Sequence, residues 1–393
     1  MRLSLYGIRG VYNFGCEAIV RGAYKFFSEL YPESEISYYS YNYEYDSKML
    51  EDIPIIVKKI KVQRTFCSRV ANKFLKMINC NYRILQFNYR EIIDDSDIIV
   101  SIGGDIYTIP QYIREKKQYS YYNELVDFCN RAIDRGKQVI LYGASVGPFG
   151  SYNLAERYYK DRLKKYKIII CREEESLKYL EKIGLTNACF FPDPAFQVKG
   201  NQGNKELKYI GVNISPLSLK ETFGKYDENS IKEMSSLLDQ LYESTKKDIL
   251  FIPHVLSNQV DDNDFEFMKD LQRHMENKVH TCFADVSGGF LGLKQQLTQC
   301  YLVVSARMHC DINAIVENIP AIFLAYSQKS IGMGQYVYGN KQWIVDVRNI
   351  SEELILKVEE MLESRELISE QLKRRNKEID AYYKENIGKV IGE

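Results

Sequence analysis

Apolar runs of about four to eight residues alternate with amphipathic segments along most of the chain, and polar or glycine-rich turns separate them. Runs of that length are typical of the buried strands of a parallel sheet, and an apolar spacing of about 3.6 residues is typical of the helices between them. The pattern therefore predicts an α/β fold. The predicted strands include RLSLYGI, EISYYSYNYEYD, DIIVS, KQVILY, KIIIC, YIGVNIS, DILFIPHV and WIVDV.

The clearest strand–helix–strand unit spans residues 301–334. Arg307 and His309 follow its first apolar run almost at once, and Lys329 follows its second. Parallel strands place their carboxyl ends at the same edge of a sheet, so we expect these three side chains at one edge. Two cations beside a titratable imidazole suit an anionic substrate that must exchange a proton. His254 also follows a predicted strand and is a further candidate for a substrate site.

Glycines follow three predicted strands in the first half of the chain, in the segments GIRGVYNFG, SIGGD and YGASVGP. A tight turn needs one glycine, so clusters of this kind suggest places where the backbone approaches a ligand. We expect Gly103, Gly104 and Ser145 to contact a substrate. The glycine spacing matches neither the dinucleotide fingerprint nor a Walker loop, which argues against a nucleotide cofactor.

Polar residues near the predicted strand ends are further candidates. Asn13 and Glu17 lie where the first loop enters a helix, and they either face a cleft or act as a loop-capping asparagine and a helix-surface glutamate. Arg172 stands alone at the end of the strand KIIIC, either as a ligand-binding cation or in a salt bridge to the acids that follow it. The histidines lack metal-ligand spacing, so no metal site is expected.

The length of 393 residues favours two domains. Residues 198–208 are polar, contain glycine and lack an apolar pattern, as expected for a linker. We therefore predict domains at 1–197 and 209–350, followed by amphipathic helices in 351–393. The chain contains 53 Lys plus Arg and 53 Asp plus Glu, so nothing indicates a general attraction to nucleic acid.

The first residues enter a strand-like run directly, and no stretch of about 18 apolar residues occurs. We therefore expect a cytoplasmic protein. The nine cysteines are odd in number and scattered, and they include no CxxC pair. This pattern predicts buried free thiols in a reducing compartment.

Charge is uneven in one segment, because no acid occurs between Asp52 and Glu91 while nine basic residues accumulate there. Part of this segment has the pattern of an amphipathic helix. Its apolar face consists of Phe66, Val70, Phe74, Met77 and Ile78. The basic residues on and before it are Arg64, Arg69, Lys73 and Lys76. The pattern favours a core-facing helix with a solvated basic edge, and the alternative is a surface that docks peripherally on anionic lipid.

Taken together, these motifs resemble those of the polysaccharide pyruvyl transferase family. The carrying segments are NFGCEAIVRG, SIGGD, YGASVGP, CREEES followed by PDPAF, and ARMHCDINAIVENIPAIFLAYSQKSIG, within residues 3–347. The resemblance implies a GT-B-like architecture, in which two Rossmann-like domains face each other across a cleft. The first domain would be on the acceptor side and the second on the donor side.

The resemblance also implies a chemistry, because members of this family transfer pyruvate from phosphoenolpyruvate to two hydroxyls of a sugar as a cyclic ketal, with no other cofactor. Arg172, Arg307 and His309 would then hold phosphoenolpyruvate and handle its proton, with His309 as the acid. Many members carry an acid directly after the N-terminal Asn-x-Gly. That position is Cys16 here, and the acid is Glu17, which is expected to act as a base or to orient the acceptor.

Two other functions are compatible with the same motifs. A nucleotide-sugar glycosyltransferase of this architecture would use Arg307, His309 and Lys329 on a diphosphate. A carbohydrate-binding protein could retain the fold without catalysis. In the pyruvyl transferase interpretation, the expected acceptor is a sugar of a cell-surface polysaccharide or its precursor, and the basic segment favours a lipid-linked one.

Overall fold

The computed structural model describes residues 1–78, 80–104, 106–109, 121–149, 153–200 and 206–390. These residues group into two compact units by their contacts. The first unit contains Met1–Val11, Ile19–Pro194 and Tyr383–Glu393, and the second contains Tyr12–Ala18 and Ala195–Tyr382. Residues 201–205 of the predicted linker and Asp105 of the SIGGD motif lie outside the described residues.

In the described part of the first unit, seven parallel strands form one sheet in the order β3-β2-β1-β4-β5-β6-β7. The strands are β1 (Arg2–Tyr6), β2 (Glu35–Ser40), β3 (Ile56–Lys59), β4 (Ile98–Ile102), β5 (Gln138–Ala144), β6 (Ile168–Cys171) and β7 (Ala188–Phe190). The first helices along the chain are α1 (Phe14–Leu30), α2 (Tyr43–Met49), α3 (Phe66–Met77), α4 (Tyr89–Asp94), α5 (Glu124–Ile133), α6 (Asn153–Leu163) and α7 (Glu174–Lys182).

The described part of the second unit holds a six-stranded parallel sheet in the order β10-β9-β8-β11-β12-β13. Its strands are β8 (Tyr209–Asn213), β9 (Asp248–Phe251), β10 (Thr281–Phe283), β11 (Cys300–Ser305), β12 (Ala321–Ala325) and β13 (Ile344–Asp346). Its helices are α8 (Pro216–Phe223), α9 (Glu228–Thr245), α10 (Asp264–His274), α11 (Gly289–Leu297), α12 (Met308–Val316), α13 (Gln328–Tyr338), α14 (Ile350–Glu363) and α15 (Arg365–Asn386). Short 3₁₀ turns occur at Pro194–Gln197, Val260–Asp262, Lys278–His280 and Val347–Asn349.

Both sheets have the same topology when their strands are numbered within each unit, namely 3-2-1-4-5-6, to which the first sheet adds a seventh strand. This is the doubly wound order of Rossmann-like domains. The predicted fold class, two Rossmann-like domains, is therefore confirmed. The strand order reverses between β1 and β4 in the first unit and between β8 and β11 in the second. Ligands of such sheets bind beyond the strand ends at these reversal points.

The central strands were the easiest to predict because they are buried on both faces. Every residue of Ile98–Ile102 and of Ala321–Ala325 is buried, and both segments are nearly continuous apolar runs. The edge strands β3, β7 and β10 are three or four residues long and contain exposed or half-buried positions. Such short strands carry too little periodicity to stand out in the sequence.

The predicted strand EISYYSYNYEYD is only partly a strand. Its first half forms β2, and its second half enters α2, which begins at Tyr43. The carboxylate of Asp46 accepts hydrogen bonds from Val11 N, Tyr38 Oη and Ser40 Oγ at 3.0, 3.1 and 2.6 Å. These bonds hold the helix against the strand end, which overrides the strand preference of tyrosine.

Residues 12–18 were assigned to the first domain from the sequence, but their contacts lie in the second unit. Phe14 N donates to His254 O at 3.0 Å, and Leu256 N donates to Tyr12 O at 3.0 Å. This pairing with the segment after β9 attaches the start of α1 to the second unit. The unit boundary at Pro194 lies close to the predicted domain end at residue 197.

The interpretation of α3 as a core-facing helix is wrong. The side chains of its apolar face are between 51% and 73% exposed. Its buried position is Ser68, and Asn72 on the same side pairs with the backbone of Ile84. All nine cysteines are free thiols, but the prediction that they are buried holds only for Cys129, Cys171, Cys300 and Cys310, and Cys67 on α3 is exposed. No described helix combines the length and the hydropathy needed to cross a membrane.

One packing contact of α1 within the first unit depends on a missing side chain. A β-carbon added to Gly22 would overlap the carbonyl oxygen of Pro194 and would lie 2.6 Å from its carbonyl carbon. Backbone atoms cannot rotate away as a side chain can. The helix can therefore lie against the PDP segment only if residue 22 is glycine.

We expect Gly22→Ala to lower the free energy of unfolding by about 1–3 kcal/mol, although alanine favours helix formation. The matched control is Gly292→Ala in α11, where a β-carbon would meet no atom within 4 Å. That control should gain up to about 1 kcal/mol. Urea unfolding followed by circular dichroism measures both changes, and equal effects of the two variants would contradict the packing argument.

Candidate functional site

The reversal point of the second sheet is organised by Asn213, the last residue of β8. Its Oδ1 accepts from Arg307 N at 3.1 Å, and its Nδ2 donates to Ile252 O at 2.9 Å and to Asp264 Oδ2 at 3.1 Å. Asn213 is fully buried. One amide side chain thus connects the ends of β8 and β9 with the turn that follows β11.

Arg307 lies in that turn and is held by two carboxylates. Its Nε and Nη2 donate to Asp264 Oδ1 at 3.2 and 2.8 Å, and Nη2 also donates to Asp262 Oδ1 at 2.7 Å. Burial lowers the pKa of Arg307, but the charges of Asp264, Tyr326 and Asp262 outweigh it and raise the pKa above its usual range. The side chain is 11% exposed. Arg307 is therefore a permanent cation with a fixed orientation.

Asp264 is the most connected residue of this group, and sequence analysis did not single it out. Besides Arg307 and Asn213, its carboxylate accepts from the backbone N–H groups of His254 and Val255 at 3.1 Å each. It is completely buried. A signal was present in the sequence, because DDND follows closely on a strand-end histidine.

His309 is half-buried in the first turn of α12, and its imidazole lies against Gly15. A β-carbon on Gly15 would come within 2.5 Å of His309 Nδ1 and 2.8 Å of its Cγ. The sequence suggested that this glycine loop makes room for a ligand. In the structure, Gly15 makes room for the predicted catalytic histidine.

Asn13 and Glu17 are close to this histidine in sequence and structure, and both have identifiable roles. Asn13 Oδ1 accepts from Gly15 N at 3.0 Å and from Cys16 N at 3.4 Å, so it caps α1. Glu17 is fully buried, and its Oε2 accepts from Phe290 N at 2.9 Å in the first turn of α11. A carboxylate at a helix N-terminus is favourable for the helix dipole. The described contacts of Glu17 therefore tie α1 to α11.

His254 is 1% exposed and lies edge-on to Phe14 and Phe290. Burial, followed by the positive charges of His309, Arg307 and Lys294, holds the pKa of His254 well below its usual range. Its Nε2 has no hydrogen-bond partner among the described residues. His254 is therefore a neutral residue of the interior at neutral pH.

Lys329 is half-buried in the first turn of α13, which follows β12. Because β11 and β12 are adjacent and parallel, the helices that follow them begin at the same edge of the sheet. Neither α12 nor α13 has a side-chain cap on its N-terminal N–H groups among the described residues. Arg307, His309 and Lys329 thus share an edge with two helix N-termini, as the sequence predicted, and this edge suits an anion.

A second group of predicted residues comes together in the first unit. Arg172 Nε donates to Ser145 Oγ at 3.0 Å, and its Nη1 donates to Asp193 Oδ2 at 3.2 Å. A β-carbon on Gly104 would come within 2.7 Å of Arg172 Nη1. Gly103 has φ of 136°, a conformation that favours glycine. Gly103 and Gly104 follow β4, Ser145 follows β5 and Arg172 follows β6, whereas Asp193 follows β7.

The ion pair of Arg172 differs from the sequence alternative of a bridge to the acids that follow it. Its partner Asp193 is the acid of the PDPAF motif, and both side chains are at most 2% exposed. Glu173 instead accepts from Ser176 Oγ at 2.8 Å. The two units thus each hold a buried arginine paired with an aspartate. Among the residues that the structure describes, no three His, Cys, Asp or Glu side chains form a group that could hold a metal.

The burial of neutral His254 predicts an acid-sensitive stability. The unfolded chain takes up a proton on this histidine near pH 6.5, whereas the folded chain resists it, so the unfolded state binds more protons below that pH. Stability should therefore fall as pH falls below about 6.5, by up to about 1.4 kcal/mol per pH unit from this group.

His254→Phe should remove the contribution of this histidine to the pH dependence of the free energy of unfolding. Urea unfolding at several pH values between about 7.5 and 5.5 would measure it. His274→Gln, at an exposed position, controls for the loss of one histidine. A His254→Phe protein with the full parental slope would contradict the assignment.

Comparisons with known proteins agree with these observations. The sequence profile of a family described as polysaccharide pyruvyl transferase matches residues 13–328. The amylovoran biosynthesis protein AmsJ of Erwinia amylovora is 25% identical over 268 residues. The aligned region covers 61% of this chain and 61% of that protein, so the chain spans less than two-thirds of this curated relative.

Solved structures with a similar fold are much more distant in sequence. HepE of Anabaena, solved with UDP and glucose, has a TM-score of 0.60 at 10% identity and covers 99% of this chain and 97% of its own. UGT2 of Phytolacca americana, solved with UDP-2-fluoro-glucose and pterostilbene, has a TM-score of 0.58 at 9% identity and covers 99% and 98%. The UDP-GlcNAc 2-epimerase of Neisseria meningitidis, bound to UDP-GlcNAc, has a TM-score of 0.55 at 11% identity and covers 98% and 100%.

The neighbours are GT-B glycosyltransferases and epimerases, which confirms the predicted GT-B-like class. At these identities they show the fold alone. The profile match is specific and spans most of the chain, and it contains Arg172, His254, Arg307 and His309. This chain therefore belongs to the polysaccharide pyruvyl transferase family.

Proposed function

We propose that this protein transfers pyruvate from phosphoenolpyruvate to two hydroxyls of a sugar, in a cell-surface polysaccharide or its precursor, as a cyclic ketal. The observation that carries the proposal is the anion-binding edge of the second unit in a chain of this family. Arg307, His309 and Lys329 lie there beside two helix N-termini. Phosphoenolpyruvate brings a carboxylate and a phosphate on three carbons, so it requires several positive groups at short range.

The fixed ion pairs of Arg307 refine how the donor would be held. Asp264 and Asp262 offset its charge, so Arg307 attracts an anion less strongly than an unpaired arginine would, and the two helix N-termini add to that attraction. Arg307 would orient the bound donor, since its Nη1 makes no hydrogen bond with any described residue. In the proposal, Nη1 donates to the donor while Asp264 fixes the plane of the guanidinium.

His309 acts as the acid in the proposed reaction. Its imidazolium protonates the enol carbon C3, which leaves an electrophilic C2. The first sugar hydroxyl bonds to C2 and releases its proton. The second hydroxyl then displaces phosphate from C2 and closes the ring, and its proton leaves with the phosphate, while the proton of the first hydroxyl replaces the one that His309 gave to C3. The products are one ketal and one phosphate, so the atoms balance without a redox partner or another cofactor.

The proposal also includes four residues of the first unit, namely Arg172, Ser145, Gly103 and Gly104. The resemblance assigns Arg172 to the donor, and its position directly after β6, at the carboxyl edge of a parallel sheet, supports that role. We assign Glu17 and Asn13 to positioning, because their observed bonds hold α1 and α11 in place. We also assign His254, which is buried behind His309, to positioning.

A nucleotide-sugar glycosyltransferase is the competing function, because the structural neighbours were solved with UDP or UDP-sugars. The same edge would then hold a diphosphate. Thermal unfolding with phosphoenolpyruvate and, separately, with UDP-sugars distinguishes the two functions. At about 100 times its Kd, a ligand should stabilise the protein by about 2.7 kcal/mol. Stabilisation by a UDP-sugar alone would contradict the pyruvyl transferase proposal.

His309→Ala should lower the rate of phosphate release from phosphoenolpyruvate by about 10²- to 10⁴-fold, because the reaction loses its acid. The circular dichroism spectrum should be unchanged, since His309 is half-buried and lies at a helix start. Activity with an acceptor sugar is followed by phosphate release and by mass spectrometry of the ketal. Full activity of His309→Ala would exclude this histidine as the acid.

Gly15→Ala tests the same histidine without altering it. The added methyl group would overlap the imidazole, so the ring must move from its position. We expect kcat to fall at least about tenfold with little change in stability, because misplacing a catalytic group by about 1 Å is costly. Gly292→Ala, which has no atom near the added methyl group, is the matched control and should keep full activity. A Gly15→Ala protein with parental kcat would contradict the positioning argument.

A further inference from the structure

Residues 62–78 and 80–87 form an excursion from the first unit, closed at its base by backbone pairing. Val62 and Phe87 form an antiparallel bridge, and Gln63 N donates to Gln86 O at 2.7 Å. Within the excursion, Asn72 of α3 accepts from Ile84 N at 2.7 Å and donates to Ile84 O at 2.9 Å. The excursion is thus a helix held by its own return segment, with one face against that segment.

The opposite face of α3 is apolar and exposed. Phe66, Val70, Phe74 and Met77 recur at helical spacing, which places them on one face, and Ile78 follows at the end of the helix. Phe66 is 73% exposed and Met77 is 72% exposed. Exposed apolar residues of this size usually occur singly on a soluble protein, so five together require an explanation.

Unpaired positive charge lies along one edge of this apolar face. Arg69, Lys73 and Lys76 occupy that edge by helical spacing, and Arg64 precedes the helix. None of these four residues forms an ion pair with any residue that the structure describes. Lys59 and Lys61, just before the excursion, are instead paired with Glu44 and Glu91. No acid occurs within the excursion itself.

We propose that α3 docks this protein on the surface of an anionic membrane, with the apolar face in the boundary between headgroups and acyl chains. An exposed apolar face beside unpaired cations has the two features that such a surface recognises. A second copy of the chain fits poorly, because two such faces would bring only like charges together. The helix of 12 residues is about 18 Å long, which suits a helix that lies in the membrane plane.

The proposal rests on the excursion and not on the proposed function. If both hold, docking would place the enzyme where a lipid-linked acceptor is found. Either can fail alone, because vesicle binding and turnover with a soluble acceptor are measured separately.

The first experiment is co-sedimentation of the full chain with vesicles. We expect binding to vesicles of phosphatidylcholine and phosphatidylglycerol in about equal parts, and much weaker binding to phosphatidylcholine alone. Binding should weaken as salt rises to about 0.5 M, because screening reduces the attraction. Phe74→Trp adds an exposed indole to a chain whose Trp343 is buried. Its emission should shift to shorter wavelength with the anionic vesicles.

Two variants separate the contributions of charge and apolar surface. Arg69→Gln/Lys73→Gln/Lys76→Gln should weaken binding to anionic vesicles about 100-fold, and Phe74→Gln/Met77→Gln about tenfold or more. Both change exposed side chains, so stability should be kept. The control for charge is Lys225→Gln/Lys278→Gln/Lys341→Gln, at exposed sites in the second unit. The control for apolar surface is Leu356→Gln/Leu367→Gln, at side chains 62% and 60% exposed.

Loss of binding in the α3 variants but not in the controls would support the proposal. Equal losses in both charge variants would overturn it in favour of a general electrostatic attraction. An unshifted emission of Phe74→Trp on bound vesicles would also overturn it. The parent chain could fail to bind vesicles and instead self-associate through α3, which sedimentation velocity would show. That outcome would overturn the proposal, and the face would be an interface between copies.

Discussion

In the second unit, the arrangement of three strand ends depends on one buried carboxylate. Asp264 accepts from two backbone N–H groups after β9, from the Asn213 amide at the end of β8, and from the guanidinium of Arg307 after β11. Three neighbouring strands thus meet at one acid. A buried carboxylate is tolerated because every donor around it compensates for lost hydration. The same arrangement gives Arg307 a fixed orientation, which an exposed arginine on a loop would not have.

The glycines at the two groups of site residues allow side chains to pack closely against the backbone. His309 packs on Gly15, and the guanidinium of Arg172 packs on Gly104. In both cases the glycine makes room for a side chain from a later part of the chain. The expectation that the backbone at Gly103 and Gly104 contacts a substrate stays a prediction. A sequence shows that a β-carbon is absent, but not which atom occupies the space.

Helix α3 shows how far periodicity can be used. Its apolar spacing identified an amphipathic helix and its approximate position correctly. Periodicity reports which residues share a face, and it does not report what covers that face. The excursion turns its polar side, with Ser68 and Asn72, towards the protein and its apolar side outwards. The exposed apolar face and the unpaired basic residues distinguish this helix from the core-facing helices of both units.

From the sequence alone it was possible to predict the alternation of strands and helices, the α/β class and the placement of Arg307, His309 and Lys329 after adjacent strands. These features follow from local spacing, because burial of both sheet faces forces apolar runs and polar turns. Only the tertiary structure decided the partners: Asp264 is 43 residues from Arg307, and Asp193 is 21 residues from Arg172. The tertiary structure also decided which face of α3 is exposed, and it decided that His254 and Glu17 are buried. Such pairings depend on which strands become neighbours, and that order is not encoded in any local pattern.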